Sequence, residues 1–184
     1  MKISINSLII LIFFQLFFGT SAVAQQILWR ANCHLSSDDF KGKKPRKSKW
    51  VAVTATQLHY TLNKNSNDST SVKVDCIFDM KQSWKKYKTL NHYILQHEQT
   101  HFDIAELYAR KLRQALKKYI VSKDKLINPD WKLQYILFIN NHGSRHYQKK
   151  YDRQTKHSNR RTAQREWNAK IADELNALRE YEVK

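Results

Sequence analysis

The feature that most constrains this chain is a spacing. Between residues 91 and 120, Ile94, His97, His101, Ala105, Tyr108, Leu112 and Leu116 recur every three or four positions. At about 100° per residue they fall on one side of a helix, and the Lys and Arg at positions 110, 111, 113, 117 and 118 suit its C-terminal end through the helix dipole. Two members of the stripe are histidines, so the face that turns toward the core also carries ligating groups.

The segments around this helix alternate instead. Over 50–62, Trp50, Ala52, Leu58, Tyr60 and Leu62 share one parity while Val51, Val53 and Ala55 share the other, which reads as one strand apolar on both faces. Residues 63–69 are rich in turn formers, and Val72, Val74, Cys76 and Phe78 then alternate with Lys73, Asp75 and Asp79. An antiparallel hairpin with a long loop follows. Asn128-Pro129 offers a helix start, 131–141 fits helix or strand, and 144–182 reads as helix in two pieces broken near His157-Ser158-Asn159. The expected class is α+β: a small antiparallel sheet or hairpin, the histidine-bearing helix, then C-terminal helices. With 41% hydrophobic and 12% aromatic residues there is material for one modest core, and five Gly and Pro together are too few for a low-complexity chain.

Residues 1–24 have the form of a secretory signal: Lys2, an apolar run over 8–18 broken only by Gln15, and small residues ending at Ala22-Val23-Ala24. The run is short for a membrane span. Cleavage after Ala24 leaves a single domain, 25–184, in the periplasm or outside the cell. In such an oxidising compartment Cys33 and Cys76 are expected to form a disulfide, the alternative being two buried thiols. Asn67-Asp68-Ser69 is a glycosylation sequon, meaningful only in a eukaryotic secretory pathway.

The string with chemistry in it is His97-Glu98-Gln99-Thr100-His101. Histidines four apart on a helix present both imidazoles to one side, where they can share a Zn²⁺. Glu98 lies about 100° around the axis, placed to act as general base toward a zinc-activated water. The alternative is a pair of core histidines satisfied by hydrogen bonds. Catalytic zinc usually has three protein ligands. Asp103 and Glu106 lie too far around the helix to supply the third, so it must come from elsewhere, with candidates in 147–157 and at His142 and His146.

The block from His97 through Glu106, together with Trp29, Asp39-Phe40-Lys41-Gly42, the block Tyr151-Asp152-Arg153-Gln154-Thr155-Lys156-His157, Gln164 and Trp167, resembles an uncharacterised bacterial family of predicted secreted zinc-dependent proteases. The resemblance spans most of the chain after the signal, although Ser158 stands where that family has glycine. It implies a zincin-like metallohydrolase domain, a HExxH-type zinc metallopeptidase acting on a peptide or protein. His157 matches as the third metal ligand. Asp152 is either an alternative third ligand or the carboxylate that orients a ligand imidazole. Tyr151 is a catalytic donor to the developing oxyanion, or a packing residue. Gln164 and Trp167 read as packing.

The chain has 33 Lys and Arg against 16 Asp and Glu, a net +17, and residues 143–165 alone hold eight of the basic residues and one Asp. Clustered charge of this kind invites a nucleic-acid reading. Export and the lack of any zinc-finger, helix-turn-helix or RNP signature argue against a specific nucleic-acid partner. A solvated helix face, with attraction to anionic envelope surfaces, fits better. Two alternatives to the metallohydrolase remain: a non-catalytic envelope binding protein with a structural metal, and a cationic polyanion-binding module.

Overall fold

The computed structural model describes residues 25–64, 70–121 and 131–183. The signal segment, the sequon at Asn67 and the helix start at Asn128-Pro129 lie outside the described residues.

Strands β1 (Gln26–Leu28), β2 (Ala52–Val53), β3 (Thr56–Lys64), β4 (Thr70–Asp79) and β5 (Trp84–Lys85) precede helices α1 (His92–Val121), α2 (Trp131–Thr155) and α3 (Arg161–Ala177). The expected α+β order therefore holds: a small antiparallel sheet, then three helices. The main sheet runs β1-β4-β3, all antiparallel, and β2 pairs with β5 in a second, two-stranded sheet. Alternation on β4 turns Val74, Cys76 and Phe78 toward α1, where Phe102, Ala105, Ala109, Leu112 and Leu116 complete the core. Phe78 packs against Phe40 and Phe102 with ring centroids 5.3 and 5.8 Å apart. On its other side α1 buries Ile104 and Leu107 against Tyr151, Trp167 and Ile171 of α2 and α3.

Local chemistry explains the boundaries. Asn91 Oδ1 accepts the backbone N–H of Ile94 at 3.0 Å, so Asn91 caps α1 where the helical spacing begins. The run 131–141, ambiguous in sequence, is helix; it sits at the start of a 25-residue α2. The strand expected over 50–62 is divided at Thr54-Ala55. The reason is a competing partner: the N–H of Ala55 donates to Ser83 Oγ at 2.9 Å while its carbonyl accepts from Asp79 N at 2.9 Å. The break also lays Thr54 Oγ1 on the carbonyl of Glu98, 3.2 Å away, and so ties β2 to α1 at the histidine turn. Gly42 supports this corner, because a Cβ there would stand 2.5 Å from the carbonyl oxygen of Lys81.

The expected disulfide is absent, and both cysteines are free. Register explains it. Leu28 pairs with Ile77, and Trp29 N donates to the Cys76 carbonyl at 2.9 Å, so Cys76 lies opposite Trp29, while Cys33 stands beyond a turn closed by Cys33 N donating to Arg30 O. Cys76 points into the core, where burial above all raises its thiol pKa well above the ordinary value.

Candidate metal centre

Four side chains meet where the end of α2 crosses the first half of α1. Asp152 Oδ1 lies 3.1 Å from His97 Nε2, 3.0 Å from His101 Nε2 and 3.1 Å from His157 Nδ1, and the two Nε2 atoms are 3.2 Å apart. His97, Asp152 and His157 form a group whose ligand atoms all lie within 4.8 Å of one another. His97 is buried, Asp152 half-buried, and His157 the most exposed, with 41% of its side chain accessible.

The protonation pattern follows from the neighbours. Gln164 Nε2 donates to Asn168 Oδ1 at 2.7 Å and to the Tyr151 hydroxyl, which leaves its Oε1 to accept from His97 Nδ1 at 3.0 Å. In the same way Gln148 Nε2 donates to the His101 carbonyl at 2.9 Å, and its Oε1 meets His101 Nδ1. Both rings thus carry their proton on Nδ1 and turn a bare Nε2 lone pair toward the carboxylate. Three acceptors face one another with no donor between them, an arrangement that is repulsive unless a proton or a cation joins them. Ligands about 2.0–2.1 Å from a tetrahedral zinc stand about 3.3–3.4 Å apart, close to the observed 3.0–3.2 Å edges. Imidazole with carboxylate suits Zn²⁺ and other divalent first-row ions. The residues present therefore fit a metal ion.

Where a proton rather than a cation joins these atoms, the rings become donors: burial raises the cost of the Asp152 carboxylate, but hydrogen bonds from protonated His101 and His97 and the charges of both rings outweigh it and hold its pKa well below the carboxylate range. For His101, burial opposes the charged ring; the hydrogen bond to Asp152, the charges of Glu98 and Asp152, and the contact with Gln148 together raise its pKa.

This geometry corrects the zincin expectation. The ligand group comes from α1, the last turn of α2 and the turn beyond it, with an α2 carboxylate at the hub. The expected set, His97 and His101 on one turn of helix with His157 as third ligand, is not the group that forms, and a HExxH-type zinc metallopeptidase, with the protease and zincin descriptions attached to it, does not follow. Metal binding is what the cluster supports. No family model, curated protein or solved structure matches the chain.

The other expected residues fall as follows. Tyr151, expected as an oxyanion donor, is fully buried; its hydroxyl donates to the His97 carbonyl at 3.2 Å and its ring stacks on His97 with centroids 4.6 Å apart. It positions the ligand helix. Burial first, with the charges of Glu98 and Asp152, raises its pKa far above the ordinary value, so it stays protonated. Glu98 is buried beside the cluster, and its Oε2 has no hydrogen-bond partner. Asp103, excluded as a ligand, instead accepts from Trp29 Nε1 at 2.9 Å and Gln99 Nε2 at 3.0 Å. His142 and His146 are exposed.

Gln148, Gln164 and Trp50 were not anticipated as parts of the site. Gln148 had a signal, since it lies four residues before Asp152 on one face of α2. Gln164 had none: α3 returns it to His97 through the turn after α2. In that turn Lys156, His157 and Ser158 all adopt positive φ, at 47°, 50° and 70°. Left-handed conformation costs a non-glycine residue about 1–2 kcal/mol. Ser158→Gly is expected to stabilise the protein by about 0.5–1 kcal/mol, net of the added freedom of the unfolded chain. Urea midpoints check this, and an unchanged or lower midpoint would count against strain at Ser158.

The cluster opens on a cavity of about 1300 Å³ between β3 and α2, floored by α1. Glu98, His97, His101, Asp152 and His157 line one end; Leu58, Leu112, Leu137 and Phe138 belong to the apolar remainder.

Proposed function

We propose that this is an exported metal-binding protein whose His97, Asp152 and His157, with His101 against them, hold Zn²⁺ at the end of an open cleft. The observation that carries the reading is the convergence of lone pairs on Asp152 with both Nδ1 atoms already committed to glutamines. Lys49, Arg145, Lys149 and Arg161 line the same cavity, and among the described residues none of them meets a carboxylate. Charge of that sign favours anionic ligands or an acidic envelope surface as the partner. The test is metal analysis of the purified chain after zinc saturation and desalting. About one zinc per chain is expected, and less than about 0.1 would overturn the reading.

A further inference from the structure

We propose that Trp50 is a positioning residue of the metal site: its indole holds His157 where Nδ1 can reach the ion. The proposal rests on the metal reading above. The Trp50 and His157 rings lie 3.9 Å apart between centroids, tilted by 40°. Lys49 Nζ stands 4.6 Å from the centroid of the same indole.

His157 needs such support in a way that the other ligands do not. His97 is held by Gln164 and by the stacked Tyr151, and His101 by Gln148. Among the described residues the His157 ring has no glutamine or carbonyl on its second nitrogen; its polar contact is Asp152. It also projects from a turn of left-handed residues outside any helix, and it is the most accessible of the four side chains. An unsupported ring of this kind loses rotamer freedom on binding an ion, and that loss weakens affinity. Stacking on Trp50 removes the freedom beforehand.

Trp50 is itself fixed from outside the site. Its backbone N–H donates to Ser48 Oγ at 3.2 Å, and the neighbouring Val51 carbonyl accepts from Lys86 N at 2.7 Å, beside the pairing of β2 with β5. The two-stranded sheet thus has a role at the metal centre. It carries the plate on which the outermost ligand rests, and the break at Thr54-Ala55 that docks β2 over α1 brings that plate into range.

The test is Co²⁺ and Zn²⁺ titration of the full chain with Trp50→Ala, Trp50→Phe and His157→Ala, following the visible Co²⁺ spectrum. Trp50→Ala is expected to weaken binding by about 10–100-fold and to shift the Co²⁺ bands toward those of His157→Ala. Trp50→Phe keeps an aromatic plate and is expected to bind within about threefold of wild type. Trp50→Ala with wild-type bands and affinity within about twofold would overturn the proposal while leaving the metal site intact. A wild type that binds neither ion overturns the metal reading and this proposal with it. A further readout needs no truncated variant: the emission difference between wild type and Trp50→Phe reports Trp50, and it is expected to change on zinc saturation. No change would again overturn the stack.

Discussion

Replacing Asp152 with alanine is expected to raise the zinc dissociation constant by well over about 100-fold, more than loss of an outer hydrogen-bonding partner costs. Asp152 Oδ1 is the one atom within 3.1 Å of all three imidazoles, so its removal leaves nitrogens with no anion among them. The same substitution has a signature in the metal-free protein. The raised His101 pKa contributes stability that is complete below its ordinary value of 6.5 and is lost as pH rises through the folded value. The lowered Asp152 pKa contributes stability present above its ordinary 3.8 and lost as pH falls through the folded value. The pair therefore supports the metal-free protein between those limits. Above them zinc, which binds only neutral imidazole, takes the proton's place. Thermal midpoints should thus decline above about pH 6.5 without metal and hold steady with zinc, and Asp152→Ala should abolish both the decline and the zinc effect. A metal-free midpoint that is flat in the wild type would refute the coupling.

What was legible in the sequence was local. The α1 spacing set His97 and His101 on one side of one helix, and alternation on β4 set Val74, Cys76 and Phe78 on one face; neither depends on anything distant. Tyr151 and Asp152 of the second block both lie against His97, yet the block alone cannot say that Asp152 lies between three rings. That depends on α2 lying along α1, where a Cβ on Gly143 would stand 2.9 Å from the Tyr108 ring, and no local pattern encodes such a crossing. The Gln164 contact depends on a further reversal of the chain, through a serine at φ 70° where the resemblance led one to expect glycine. Trp50 reaches His157 because a strand that reads as continuous is broken by Ser83, nearly thirty residues away. The cysteine pair failed for the complementary reason: two positions and a compartment carry no distance, and the strand register put Trp29, not Cys33, opposite Cys76.

Glu106→Ala is expected to have the largest effect on stability, a loss of about 3–5 kcal/mol. Spacing on α1 excluded Glu106 as a ligand, and the structure shows what it does instead. Glu106 and Arg110 are each only 2% exposed; Glu106 Oε1 accepts from Arg110 Nε at 3.0 Å and from Arg113 Nη1 at 2.8 Å. Arg110 continues to Glu182 at 2.9 Å and the Leu175 carbonyl at 2.7 Å, while Arg113 reaches the carbonyls of Val74 and Tyr181 at 2.8 Å. Glu106 thus bridges two guanidinium groups that clamp α1 to β4 and to the end of α3. Removing it leaves Arg113 without its carboxylate and Arg110 with Glu182 alone, whereas Glu106→Gln keeps an acceptor and is expected to cost less. Stabilities of ordinary domains run to about 5–15 kcal/mol, so the alanine variant is left close to unfolding at room temperature. Zinc should offset part of that loss. An ion that binds only the folded chain adds about 2.7 kcal/mol at a hundredfold excess over its dissociation constant. Urea unfolding with and without zinc measures both terms. A loss under about 1 kcal/mol would mean that the buried network is not what holds α1 in place. A zinc increment in Glu106→Ala smaller than in wild type would mean that the clamp and the metal site are coupled through α1, since independent sites add.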